Sequence, residues 1–130
     1  MDSNKKMGNS FERELCDILA SHGFWCHNMA QNKDGQPADV IAVRDKRAWL
    51  IDCKVCKNDK FPLSRIEENQ RNAMTLWSEC GNCSGWFALK ISTGIYMISL
   101  VQLEQLEAHN VKSLSAGDIT LIGLPLGRWI

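Results

Sequence analysis

Asp39 opens one apolar run, residues 40–43, and Asp52-Cys53-Lys54 closes the next, residues 49–51. Successive side chains on a strand alternate faces, so Asp52 and Lys54 share a face and Cys53 takes the other. If the two runs fold back on each other, the start of the first lies beside the end of the second. Two carboxylates then meet beside one ammonium. Hard oxygen donors of this kind suit Mg²⁺, with Mn²⁺ as the alternative. Two neighbouring carboxylates repel, and a cation between them removes that cost. Such a cation would polarise a phosphodiester and acidify water. Lys54 could hold the attacking water or stabilise charge growing on the phosphoryl oxygens. Metal-assisted hydrolysis of nucleic acid is the chemistry these residues point to. The competing reading is a sheet-edge charge cluster in which Lys54 is simply paired to an Asp.

The elements that must position these groups can be read from the pattern. Residues 1–8 are expected to be a flexible tail. Asn9 is expected to cap a helix, with Glu12 answering it three residues on. Phe11, Leu15, Ile18 and Leu19 form its apolar stripe, and Gly23 ends it. Glu12 and Glu14 both flank that stripe, so either could lean over a sheet, and geometry does not choose between them. Residues 24–28 are a short strand, and Asp34-Gly35 is a turn signal. Residues 40–43 and 48–55 read as a hairpin turning at Asp45-Lys46. Ser64 and Glu67 are spaced as a capping box for a second helix, with the stripe Ile66, Gln70, Ala73 and Trp77. Gln70 interrupts that stripe, and a buried amide must find partners. The attacking water, a ligating carboxylate or the neighbourhood of Lys54 would supply them. Two further strands, 86–91 and 95–100, and a short helix at 102–109 follow. Beyond Val111 the signal is poor, and 121–130 is apolar but broken by Gly123, Pro125 and Gly127. The order gives one domain over residues 1–130, an α/β fold with a central mixed β-sheet flanked by helices.

Composition narrows the partners. The chain has 130 residues, 45 % hydrophobic, and a formal net charge of zero, which argues against a uniformly basic nucleic-acid-coating shell. From Arg44 to Arg71 there are eight basic and five acidic residues, so a DNA-contacting surface belongs to the first half. Lys33, Lys57, Lys60 and Arg65 fall in loops nearest the acidic residues and are candidate phosphate contacts. Arg71, beside Gln70, is a candidate phosphate clamp. No apolar stretch reaches membrane-spanning length and no secretory h-region is visible, so no membrane partner and a cytoplasmic location are expected. Cys53-x-x-Cys56 and Cys80-x-x-Cys83 are spaced like a zinc site, but Cys53 and Cys56 face opposite ways if the strand continues. His22, His27 and His109 form no ligand-spaced pair. Of the five tryptophans, Trp49, Trp77 and Trp86 lie in regular segments and suit packing. Base stacking is the other role open to such rings.

Taken together, Gly8-Asn9-Ser10-Phe11-Glu12-Arg13, Gly35-Gln36-Pro37-Ala38-Asp39 and Ile51-Asp52-Cys53-Lys54 resemble the PD-(D/E)xK nuclease superfamily, with its restriction-endonuclease-like fold. Within it the chain is similar to Holliday junction resolvases of the archaeal and RecU types, the latter from Gram-positive bacteria and their phages. The resemblance implies that Glu12, rather than Glu14, completes a metal site with Asp39 and Asp52. It implies that Lys54 and Gln70 are catalytic and that Arg13 lies near DNA or a dimer seam. It further implies a homodimer acting on branched DNA, in the host cytoplasm if phage-encoded. Two other functions are kept open. One is a restriction-like or nicking DNA endonuclease on the same fold. The other is a non-catalytic DNA-binding or assembly protein with a four-cysteine zinc site.

Overall fold

The computed structural model describes residues 3–29 and 38–130. The Asp34-Gly35 turn and the expectations placed on Lys33, Gly35, Gln36 and Pro37 lie outside the described residues. The elements in chain order are α1 (Ser3–Ser21), β1 (Trp25–Asn28), β2 (Val40–Arg44), β3 (Arg47–Val55), β4 (Phe61–Pro62), α2 (Glu68–Glu79), β5 (Trp86–Ile91), β6 (Gly94–Ser99), α3 (Leu100–Ala108), β7 (Ser113–Leu114), α4 (Ala116–Ile122), β8 (Leu124–Pro125) and α5 (Leu126–Trp129).

Six strands form one mixed sheet in the order β1-β2-β3-β5-β6-β8. The β3–β5 pair is parallel and the other pairs are antiparallel. A parallel neighbour needs a crossover, and α2 lies within the one between β3 and β5. The β2–β3 hairpin turns on Asp45 and Lys46, whose φ values are 53° and 65°. Two consecutive positive φ values match the twist of the flanking strands. Its register sets Val40 opposite Ile51, which brings Asp39 level with Asp52.

The sheet separates two apolar layers. On one face Phe11, Leu15 and Leu19 of α1 pack on Val40, Ala42, Ile51, Ala88 and Met97. On the other, Leu50, Phe87 and Leu89 meet Met74 of α2, Leu103 of α3 and Ile119 of α4. The period-two pattern of β3 is therefore apolar on both sides until Asp52.

Four expectations change. Helix α1 starts at Ser3, so Asn9 lies inside it and does not cap it, and residues 3–8 are not a tail. Gly8 costs about 1 kcal/mol relative to Ala within a helix, a penalty outweighed by burying Phe11, Leu15 and Leu19 one to three turns later. The capping box of α2 is Glu67 with Gln70. Ser64 instead sits in a 3-10 turn, Leu63–Arg65, because Leu63 and Ile66 on either side of it are drawn into the core. Helix α3 begins at Leu100, capped by Ser99 with Gln102. The weakly patterned C-terminal stretch folds as α4, β8 and α5, and Trp129 closes an aromatic cluster with Phe24, Trp49 and Trp86. Among the described residues no helix is long and apolar enough to cross a membrane.

Candidate active site

Asp39 sits at the bend where β2 begins. Its Oδ2 accepts a hydrogen bond from Cys53 N at 2.8 Å, tying the carboxylate to the end of β3. Asp52 is 1 % exposed and faces α2. There Gln70 Nε2 donates to Asp52 Oδ1 at 2.8 Å. Lys54, also buried, brings Nζ to 3.0 Å from Asp52 Oδ2 and 3.4 Å from Gln70 Oε1. The contact with Oδ2 is an ion pair between two buried groups, and that oxygen has no further hydrogen-bond partner. The Gln70 amide spends its oxygen twice, accepting from Lys54 Nζ and, at 3.3 Å, from Glu67 N. Its place in the middle of an apolar stripe is thereby explained: one side chain caps its own helix and fixes two charged groups of the neighbouring strand.

Glu12 reaches this cluster from α1, on the far side of the sheet, and is 7 % exposed. Burial is the main reason its carboxyl is pushed up to about 7, with the nearby charge of Asp39 and a hydrogen bond to Asp39 adding to the rise. A hydrogen bond from Asn28 opposes it. Burial also raises Asp52 well above the usual carboxylate range, followed by the charge of Asp39, while Lys54 pulls it down. Asp39 thus contributes to the rise of both Glu12 and Asp52. Glu14, the rival glutamate, is turned away and pairs with Lys90 at 2.7 Å.

The donor set is all hard oxygen, it contains one buried oxygen without a hydrogen-bond partner, and two of its three carboxyls are pushed up, chiefly by burial and next by the charge of Asp39. Those features fit a divalent cation. Among the described residues no group of three or more His, Cys, Asp or Glu side chains already stands as a metal cage; the acidic side chains are linked pairwise. Glu12, Asp39 and Asp52 would hold the ion, with Lys54 beside them.

The remaining candidates divide. Lys57, Lys60 and Arg65 line one cavity of about 650 Å³ together with Gly8, Cys53, Val55 and Pro62. Arg65 Nη1 also donates to Val55 O at 2.9 Å. Arg13 is exposed on α1. Arg71 is no open clamp: it binds Glu107 through two nitrogens, at 2.9 and 3.1 Å, and Glu104 at 3.1 Å. Two carboxylates match its single charge and turn it into a tie between α2 and α3. The four-cysteine arrangement also fails to converge. Cys53 packs in the α1 layer while Cys56 belongs to the opposite one, and Cys80 is an exposed free thiol. Sequence reasoning missed Asn28, the neighbour of Glu12. Its signal was a polar residue ending β1 directly opposite Val40.

A family model described as archaeal Holliday junction resolvase (Hjc) matches residues 3–124. Among solved structures, Hjc of Archaeoglobus fulgidus, a Holliday junction resolvase from an archaeal hyperthermophile, is similar in fold. It superposes with a TM-score of 0.66 at 19 % identity, over 90 % of this chain and 93 % of that one. No curated protein sequence matches the chain.

Proposed function

The chain belongs to the archaeal Holliday junction resolvase family, and from that premise we propose that it is a Mg²⁺-dependent, structure-selective DNA endonuclease that hydrolyses phosphodiester bonds at four-way junctions. Of the two resolvase types the sequence resembles, the family match is to the archaeal one. The observation that carries the reading is the pairwise linkage of Asp39 to Glu12 and to Asp52 at the end of the β2–β3 hairpin, with Lys54 Nζ 3.0 Å from the buried Asp52 Oδ2.

Bound Mg²⁺, or Mn²⁺ in its place, would supply the positive charge that relieves the crowded carboxylates and polarises the scissile phosphodiester. Lys54 then places an ammonium where negative charge develops on the phosphoryl oxygens. Gln70 fixes Asp52 and Lys54 against each other, so neither must reorganise during reaction. Lys57, Lys60 and Arg65 grip flanking phosphates, and Arg13 extends that contact along α1. Two copies of the chain act together, each cutting one of two opposed strands.

Cleavage of an immobile four-way junction beside a matched duplex tests this, with Asp39→Asn as the control. An Asn can still accept from Cys53 N, so folding and DNA binding persist while cleavage is lost. Metal-dependent cutting of the junction by the unaltered chain and none by D39N is the expected result. Undiminished cutting by D39N overturns the site assignment. Equal cutting of junction and duplex replaces junction resolution with a general restriction-like or nicking activity.

A further inference from the structure

Trp25 is 61 % exposed on β1, while the other four tryptophans are half-buried in regular or aromatic clusters. A single exposed apolar side chain needs no explanation, but this one is not single. Its ring lies nearly parallel to that of exposed His27, at 8° with centroids 6.0 Å apart. That is an offset stack on β1, the edge strand of the sheet among the described residues.

The side of the sheet on which this stack lies follows from the ladder. Cys26 packs in the α1 layer, so Trp25 and His27, its neighbours in the alternation, project from the opposite face. That is the face carrying Leu50 and Asp52, where Gln70 reaches down from α2. His27 stands level with Ile41 and Leu50, and Trp25 with Val43 and Ala48. Strand geometry puts His27 roughly 7 Å and Trp25 roughly 13 Å along the strand from Asp52, and two strand spacings, about 10 Å, across. The stack is thus within about three to five stacked nucleotides of Asp52, at ~3.4 Å per step. The same short strand ends in Asn28, the hydrogen-bond partner of Glu12.

We propose that Trp25, backed by His27, is a stacking platform for an unpaired nucleobase of the DNA on which the acidic site acts. This rests on the nuclease reading above and adds to it a residue for selecting substrate shape. A ring face accepts any base but needs that base unstacked. A continuous duplex offers none beside the cut, whereas a branch point or a single strand does. The platform therefore favours broken stacking without reading sequence.

The test is fluorescence anisotropy in EDTA, which withholds the metal needed for cutting, on a four-way junction, a single strand and a matched duplex. Trp25→Ala should weaken binding to junction and single strand about tenfold while changing duplex binding less than twofold, and Trp25→Phe should recover most of the loss. The unaltered chain should show tryptophan quenching on adding junction, and W25F should show much less of it. Junction affinity of W25A within twofold of the unaltered chain overturns the platform, while metal-dependent cleavage by the unaltered chain leaves the nuclease reading intact. An equal loss on duplex also overturns it, as does a change in oligomeric state of W25A on size exclusion, which would make the ring a contact between protein chains. Failure of the unaltered chain to bind any branched DNA overturns the nuclease reading and the platform with it.

Discussion

Gln70 Nε2 donates to Asp52 Oδ1 at 2.8 Å, joining the first turn of α2 to the C-terminal half of β3. This bond is what converts a polar residue in an apolar helix stripe into a support for the acidic cluster. Replacing Gln70 with Ala strips a buried carboxylate oxygen of its donor and α2 of half its capping box. A buried group left unpaired costs about 1–3 kcal/mol. Q70A should lower the thermal midpoint accordingly and slow cleavage about 10–100-fold, the range seen when a support of this kind is removed. Thermal melts and single-turnover rates on one preparation check both.

Lys54 contributes differently. Its ammonium is the one cation in contact with Asp52 among the described residues. Lys54→Met keeps the bulk of the stem and removes the charge. Cleavage should fall by a hundredfold or more. Asp52, already raised, should rise further, so K54M should lose more stability than the unaltered chain as pH climbs from 5 to 8. Melts across that range, beside cleavage rates, read the two effects separately.

Stability of the metal-free chain should depend on pH in a direction opposite to that of an ordinary salt-bridged carboxylate. Glu12 titrates at about 7 in the folded chain against 4.5 ordinarily, burial being the chief cause. A carboxyl raised on folding prefers its proton in the folded state. Its contribution is fully present below pH 4.5 and is lost as pH rises through about 7. Asp52 shifts in the same direction. In EDTA these two groups should lower the midpoint between pH 5 and pH 8. Mg²⁺ should restore little at pH 5 and much more at pH 8, up to about 2.7 kcal/mol at a hundredfold excess over its Kd. Calorimetric scans with and without metal at the two pH values measure the difference.

Trp129 closes the C-terminal end of the α1 layer. Its ring is stacked on Phe24 with centroids 5.8 Å apart and meets Trp49 and Trp86 edge-on at 5.5 and 5.8 Å. Trp129→Ala should cost about 3 kcal/mol, the lower end for losing a large aromatic from a core, because the ring is only half-buried. The readout is the urea midpoint, with the slope unchanged.

The β2–β3 hairpin was legible in the sequence because Asp45-Lys46 separates two apolar runs of strand length and period two fixes the face of Asp52. The same pattern could not choose Glu12 over Glu14; that choice needed the motif resemblance. The tie from Arg71 to Glu107 spans 36 residues, and no local pattern announces a pairing at that separation. Ser64 offered a better capping residue than Glu67, yet burial of Leu63 and Ile66 delayed the helix. The end of the chain was unreadable for a related reason. Elements of two to seven residues, such as α4, β8 and α5, are too short to show a period, and the sheet and aromatic cluster they cover hold them in place.

Anomalous diffraction from crystals soaked in Mn²⁺ puts the central claim to its most direct test. The account predicts an anomalous peak bounded by carboxylate oxygens of Glu12, Asp39 and Asp52, with Lys54 alongside, and its disappearance in D39N. A soak that leaves those carboxyls paired with one another, with manganese bound elsewhere or nowhere, would contradict it.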